Sequence, residues 1–216
     1  MNISIVTVFP SIYDSFLQTS LVRIAQEKGL VSFNLCELSS FCAPGKRIDE
    51  PTVGHGPGMI LKPEIVEMAI ESCIEKFGPG YKIFFSPQGQ RLDQPLLNRI
   101  VENQFKPKDT NAKKDVEQHL ILVCARYEGM DKRVEEHYSD LMLSIGDYVL
   151  MGGDLPAQVF LEGFLRLIPE VVGNKDSLSS ESFQSPFLDH PEYGLPQTWN
   201  GSEIPEVLRS GNHKAI

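Results

Sequence analysis

The chain has 216 residues, 41% of them hydrophobic and 23% charged, with a formal net charge of −9 at pH 7. At ~150 residues per domain this supports one compact unit plus a lobe or tail, large enough to fold without a metal or disulfide. Ordinary composition excludes fibrous and disordered classes. An apolar run at residues 120–124, far short of the ~20 that span a bilayer, and an N-terminus without a signal pattern exclude membrane and secreted ones.

The acidic balance argues against a protein that wraps nucleic acid through phosphates alone, but a local basic site is compatible with it. Residues 91–133 hold nine Lys or Arg against seven Asp or Glu, whereas residues 167–216 hold three against seven. Cys36, Cys42, Cys73 and Cys124 form no C-x-x-C pair and have no His at ligand spacing, so no metal site is expected. They read as reduced, mostly buried thiols, and the cytoplasm is the expected compartment.

Residues 3–9 read as a strand, with Pro10 at a helix start. Apolar residues from Ile12 to Ala25 recur at helical spacing until Gly29 stops the helix. Residues 30–36 read as a second strand. Residues 39–58 carry seven Gly or Pro and read as a long loop. Pro63 opens a helix through Lys76, closed by Gly78. Residues 81–85 form a strand, 94–101 a helix, and 106–118 a solvated excursion. Residues 119–124 are the most β-like run, followed by a helix over 131–138. Strands at 141–145 and 148–151 are split by Gly146-Asp147, and a helix spans 155–167. Beyond Pro169 the pattern dissolves into turns. The alternation predicts an α/β fold, a mainly parallel sheet flanked by helices. It spans residues 1–168, with a linker and a short C-terminal lobe over 169–216.

Ligands of open α/β sheets bind beyond the carboxyl ends of strands. Three such ends carry conspicuous loops: Ser86-Pro87-Gln88-Gly89, Ala125-Arg126-Tyr127-Glu128-Gly129, and residues 144–148 leading to Gly152-Gly153. Glycine there lets a ligand approach the backbone, so a composite pocket is expected. None matches a phosphate-binding P-loop, and Gly54-His55-Gly56-Pro57-Gly58 lacks dinucleotide spacing.

Those three loops, with Pro205-Glu206-Val207-Leu208, Ser210-Gly211-Asn212-His213, Gly56-Pro57-Gly58-Met59 and Lys62-Pro63-Glu64, resemble the bacterial tRNA (guanine-N1)-methyltransferases of the SPOUT class. The resemblance covers essentially the whole chain in order. It implies a trefoil-knotted α/β fold, bound S-adenosyl-L-methionine, an obligate homodimer, and an active site between subunits. The implied reaction methylates N1 of the guanine at tRNA position 37, just 3′ of the anticodon. The implied partner is tRNA, with no role for DNA. Alternatives are a catalytically impaired cofactor- or RNA-binding module, and a SPOUT enzyme acting on another RNA.

On this resemblance the cofactor residues are Phe84, Phe85, Ser86, Pro87, Gln88 and Gly89; Ala125, Arg126, Tyr127, Glu128 and Gly129; and Ser144, Ile145, Gly146, Tyr148, Leu150, Gly152 and Gly153. Methylating guanine N1 requires a base for its proton, a cation for charge growing on the neighbouring oxygen, and in-line placement. The family's aspartate base falls on Glu181, with Asp176 as the alternative, and its catalytic arginine on Arg166. Lys46, Asp49, Glu50, Gly58 and Glu128 fall on the substrate side, Glu128 with a possible Mg2+. The family's usual glycine is Ala125 here, and its His-Arg pair is Gly45-Lys46. The family's basic C-terminal extension would follow Ile216, so a truncated chain or a protein impaired in tRNA binding is the expectation.

Overall fold

The computed structural model describes residues 1–54, 56–105, 118–172, 182–183 and 190–210. It divides into two units, Met1–Gly173 and Asn174–Ile216. The first is built on five parallel strands: β1 (Asn2–Thr7), β2 (Ser32–Glu37), β5 (Tyr81–Arg91), β6 (His119–Val123) and β7 (Leu141–Ser144), in the order β2-β1-β6-β5-β7. Two short strands, β3 (Asp49–Pro51) within the stretch read as a loop and β4 (Met59–Leu61) directly after it, pair antiparallel. That pair is too short to carry a legible alternation of its own.

Alternation along the central strands sorts side chains to the two faces of the sheet. Ile3, Ile5, Ile83, Phe85, Leu120 and Leu122 pack with α2 (Ser20–Glu27), α4 (Gln94–Ile100) and α6 (Asp154–Leu165). Val6, Phe84, Ile121 and Val123 pack on the other face with α3 (Pro63–Phe77) and α5 (Lys132–Tyr138). The parallel α/β sheet covered on both faces is therefore as expected.

Two local expectations need correction. The first helix is broken: a 3-10 turn (Pro10–Tyr13) leads into α1 (Asp14–Leu17), and extended Thr19 separates it from α2, whose first residue Ser20 takes φ 44°. Gly29 does end α2, with Leu30 N–H bonded to Ala25 O at 3.0 Å and Gly29 N–H to Gln26 O at 2.9 Å. No strand forms at 148–151. That segment pairs with no neighbouring strand, and Val149 and Met151 are 84% and 85% exposed. The excursion at 106–117 lies outside the described residues.

The second unit holds a hairpin of β8 (Thr198–Trp199) and β9 (Ser202–Glu203), then α7 (Glu206–Arg209). Asn200 and Gly201 both have positive φ, as a two-residue hairpin turn requires.

The return of the chain after β7 positions the site. β7 lies at the sheet edge, yet Gly153 N–H bonds Ala125 O beyond β6 at 2.8 Å, and the Asp154 carboxylate reaches Thr7 at the end of β1. The connection thus crosses back over the ends of β5 and β6 before α6 begins. β5 makes room by a bulge: residues 86–89 leave the ladder and Gln90 rejoins opposite Leu143.

Gly89 crosses so close to β7 that a Cβ there would lie 2.5 Å from Leu143 N. A Gly89→Ala variant is expected to lower the melting temperature by several degrees, because backbone cannot yield as a side chain can. Unchanged melting would contradict that packing.

His119 is buried, with Nδ1 2.8 Å from Gly78 O and Nε2 2.9 Å from Ser4 Oγ. The carbonyl only accepts, so Nδ1 carries a proton. Burial foremost pushes its pKa below the ordinary value. Its stabilising contribution is present above the unfolded value of ~6.5 and lost as pH falls from there through the folded value. His119→Asn is expected to be less stable at pH 7, but with a shallower fall in Tm between pH 7 and 5; an equally steep fall would remove His119 from the linkage.

Candidate active site

The three glycine-bearing turns converge on one hollow of about 330 Å³ at the carboxyl ends of β5, β6 and β7. That is within the usual size of small-molecule sites. In the first turn, Gln88 N–H bonds Ser86 Oγ at 3.2 Å. In the second, Gly129 N–H bonds Arg126 O at 3.0 Å, and Tyr127 takes φ 60° between them. In the third, the Ser144 hydroxyl donates to Gly146 O at 3.1 Å and accepts from Gly146 N–H at 3.3 Å. These bonds fix the backbones of the turns.

Behind the hollow lies a buried carboxylate. Asp154, 1% exposed, accepts from Thr7 Oγ1 at 2.5 Å, Tyr13 OH at 3.1 Å and Arg126 Nε at 2.7 Å. The Arg126 guanidinium also lies over the Phe9 ring, 5.0 Å from its centre. Arg126 and Gly152 form an isolated antiparallel bridge, and a Cβ on Gly152 would stand 2.5 Å from Arg126 Cδ.

A second wall joins the hollow to the β3–β4 hairpin. Glu128 N–H bonds Met59 O and Leu61 N–H bonds Gly129 O, both at 3.0 Å. A Cβ built on Gly58 would collide with Glu128 Cγ, so only glycine at φ 95° lets that carboxylate lie across the hairpin. Asp131 caps α5, and its hydrogen bond to Arg133 holds its carboxyl down to about 2.

Of the expected cofactor residues, Phe85, Ser86, Pro87, Gln88, Ala125, Arg126, Tyr127, Glu128, Gly129, Ser144, Ile145, Gly146, Tyr148, Leu150, Gly152 and Gly153 line the hollow. Phe84 points instead into the α3 side of the core, and Gly89 packs on β7 behind it. Ala125 does not have positive φ, so a methyl group there strains no backbone. The hollow also takes in Met130, Lys132, Glu135, Leu143, Val149 and Pro156. Lys132 and Glu135 pair at 2.7 Å on the first turn of α5; a helix starting directly after a ligand-binding turn was the available signal for them.

On the substrate side, Gly58 touches Glu128 at the hollow, and Glu50 sits on β3 opposite Ile60. Asp49 is 4% exposed with both carboxylate oxygens on Arg47, at 2.9 and 2.6 Å, and that pairing holds its carboxyl below the usual range. Lys46 is exposed and does not line the hollow. Arg166 caps the far end of α6, a 12-residue helix and therefore about 18 Å long, and does not line the hollow. Glu181 and Asp176 lie outside the described residues. Among the described residues, no three His, Cys, Asp or Glu side chains gather as a metal-holding group.

The profile of the family described as tRNA (Guanine-1)-methyltransferase TrmD matches residues 1–216. A tRNA (guanine-N(1)-)-methyltransferase of Microcystis aeruginosa is 39% identical over 217 residues, covering all of this chain and 88% of that protein. One from Moorella thermoacetica is 35% identical over 223 residues, covering all of this chain and 82% of the relative. The crystal structure of the tRNA (m1G37) methyltransferase from Aquifex aeolicus superposes with a TM-score of 0.78 at 29% identity, over 99% of this chain and 84% of that one. The parallel sheet and its crossing connection are thus the SPOUT-class arrangement expected, and the chain belongs to the tRNA (guanine-1)-methyltransferase TrmD family.

Proposed function

We propose that this protein transfers the methyl group of S-adenosyl-L-methionine to N1 of guanine 37 of tRNA, in the cytoplasm and as a homodimer. The observation that carries this reading is the convergence of the three turns on one hollow. The donor chemistry fits: Leu143, Ile145, Leu150 and Pro156 offer apolar surface to a flat base, and the turns offer fixed polar groups. S-adenosyl-L-methionine supplies an electrophilic methyl on its sulfonium.

The protein's own residues have the remaining tasks. Glu181 is proposed as the base that takes the N1 proton, with Asp176 as the alternative. Arg166 is proposed to meet the charge that grows on the guanine oxygen. One subunit alone does not bring Arg166 to its own hollow, so the reading assigns it to the hollow of a second copy. Exposed apolar residues support such a pairing: Val149 and Met151 beside the hollow, then Leu155 and Val159, 49% and 50% exposed, one turn apart on α6. A large exposed apolar patch of this kind marks an interface. Glu128, adjoining both hollow and hairpin, is proposed to contact the target guanine; Lys46 and Glu50 lie on the hairpin side and are proposed to face the tRNA. For Asp49 the proposal is indirect, through the Arg47 it fixes.

Titration calorimetry with S-adenosylhomocysteine is expected to show saturable binding; no heat at millimolar ligand would remove the reading. Glu181→Gln is expected to lower turnover on a tRNA transcript by about 10² or more while leaving cofactor affinity near wild type. A larger loss in Asp176→Asn would transfer the role of base. Replacing guanine 37 by adenine should abolish methyl incorporation, and undiminished incorporation would point to another RNA position.

A further inference from the structure

We infer that Asp154 is a positioning and specificity residue of the cofactor hollow, neutralising Arg126 so that the site favours a sulfonium cation over its neutral thioether product. The inference rests on the proposed function. Asp154 does not line the hollow, but Arg126, Gly152, Gly153 and Pro156 around it do. It therefore acts through them.

A buried carboxylate is a poor way to stabilise a core, because its desolvation is repaid only while its partners stay in place. Here the partners come from three separate places in the chain. Thr7 ends β1, Tyr13 closes the 3-10 turn, and Arg126 opens the turn after β6. Asp154 itself is the first residue of α6. One carboxylate thus ties together the segments that meet behind the hollow. Removing its charge frees Arg126 from its 2.7 Å partner and leaves a guanidinium at the wall with only the Phe9 ring beneath it.

The electrostatic consequence is specific. Among the described residues of one subunit, the charged side chains of the hollow and its back wall are Arg126 and Lys132 against Glu128, Glu135 and Asp154, two cations facing three carboxylates, and the proposed Arg166 and Glu181 would add one charge of each sign. That excess of one negative charge suits a sulfonium. Without Asp154 the excess vanishes and the cation nearest the turn is unpaired. S-adenosylmethionine and S-adenosylhomocysteine differ by one methyl group and this charge, so all other contacts cancel in the ratio of their affinities. In a partly desolvated site one charge at such range shifts that ratio by about tenfold.

The test is calorimetry of the full chain with both ligands. Asp154→Asn is expected to lose S-adenosylmethionine affinity about tenfold more than S-adenosylhomocysteine affinity. Arg126→Gln, which leaves Asp154 without its cation, is expected to shift the ratio the other way, and it carries the test alone if Asp154→Asn does not fold. A residue with a purely structural role would lower melting and weaken both ligands equally. A ratio unchanged from wild type in the variants that fold overturns the inference. Failure of the wild-type chain to bind either ligand would instead overturn the proposed function on which this rests.

Discussion

The segment that leaves β7 at the edge of the sheet must come back across the ends of β5 and β6, and the Asp154 carboxylate fixes where it arrives. An ion buried to 1% exposure is tolerable only with strong donors, and Thr7 and Tyr13 near the start of the chain and Arg126 after β6 supply them. The donors therefore hold the crossing connection in one place, and the connection holds the hollow. A connection free to drift would leave residues 145–153 with nothing to close against. The hydrogen bond from Gly153 to Ala125 and the bridge between Arg126 and Gly152 are the local expression of that constraint.

Because the crossing passes so close to the strand ends, side chains have little room there. Gly89, Gly152 and Gly153 each sit where a Cβ would meet neighbouring backbone or the Arg126 stem at 3.0 Å or less. The glycines let the connection pass close to the strand ends, while Arg126, Tyr127, Tyr148 and Leu150 supply side chains to the wall of the hollow. The second wall is shared with the β3–β4 hairpin through Glu128 and Gly58, so the groups proposed to hold cofactor and acceptor adjoin one another. Arg166, a helix length away, explains why the proposed activity belongs to a pair of chains.

The sheet was legible because its central strands are apolar runs, that at residues 81–85 set between Gly80 and Pro87 and that at 119–124 the most β-like of the chain. The hollow was legible too, since glycine stands at three neighbouring strand ends, where ligands of such sheets bind. What escaped were features set by distant partners. Residues 148–151 have strand-like composition, yet they pair with no strand and are exposed instead. Phe84 and Phe85 are adjacent in sequence, but the two-residue period sends one into the core and only the other to the hollow. Asp154 stands just before the helix expected over 155–167 and drew no reading from the sequence, because its partner Thr7 lies 147 residues away. Asn200-Gly201, by contrast, was a readable hairpin turn in a stretch that looked unpatterned.

The account stands on the hollow being the place where the methyl donor sits. A crystal structure of the protein with S-adenosylhomocysteine tests this most directly. The expected result places the ligand among the turns at 86–88, 125–129 and 145–153, its thioether sulfur facing Glu128 and an Arg166 from a second copy. Ligand density at any other place on the chain, with this hollow empty, would contradict it.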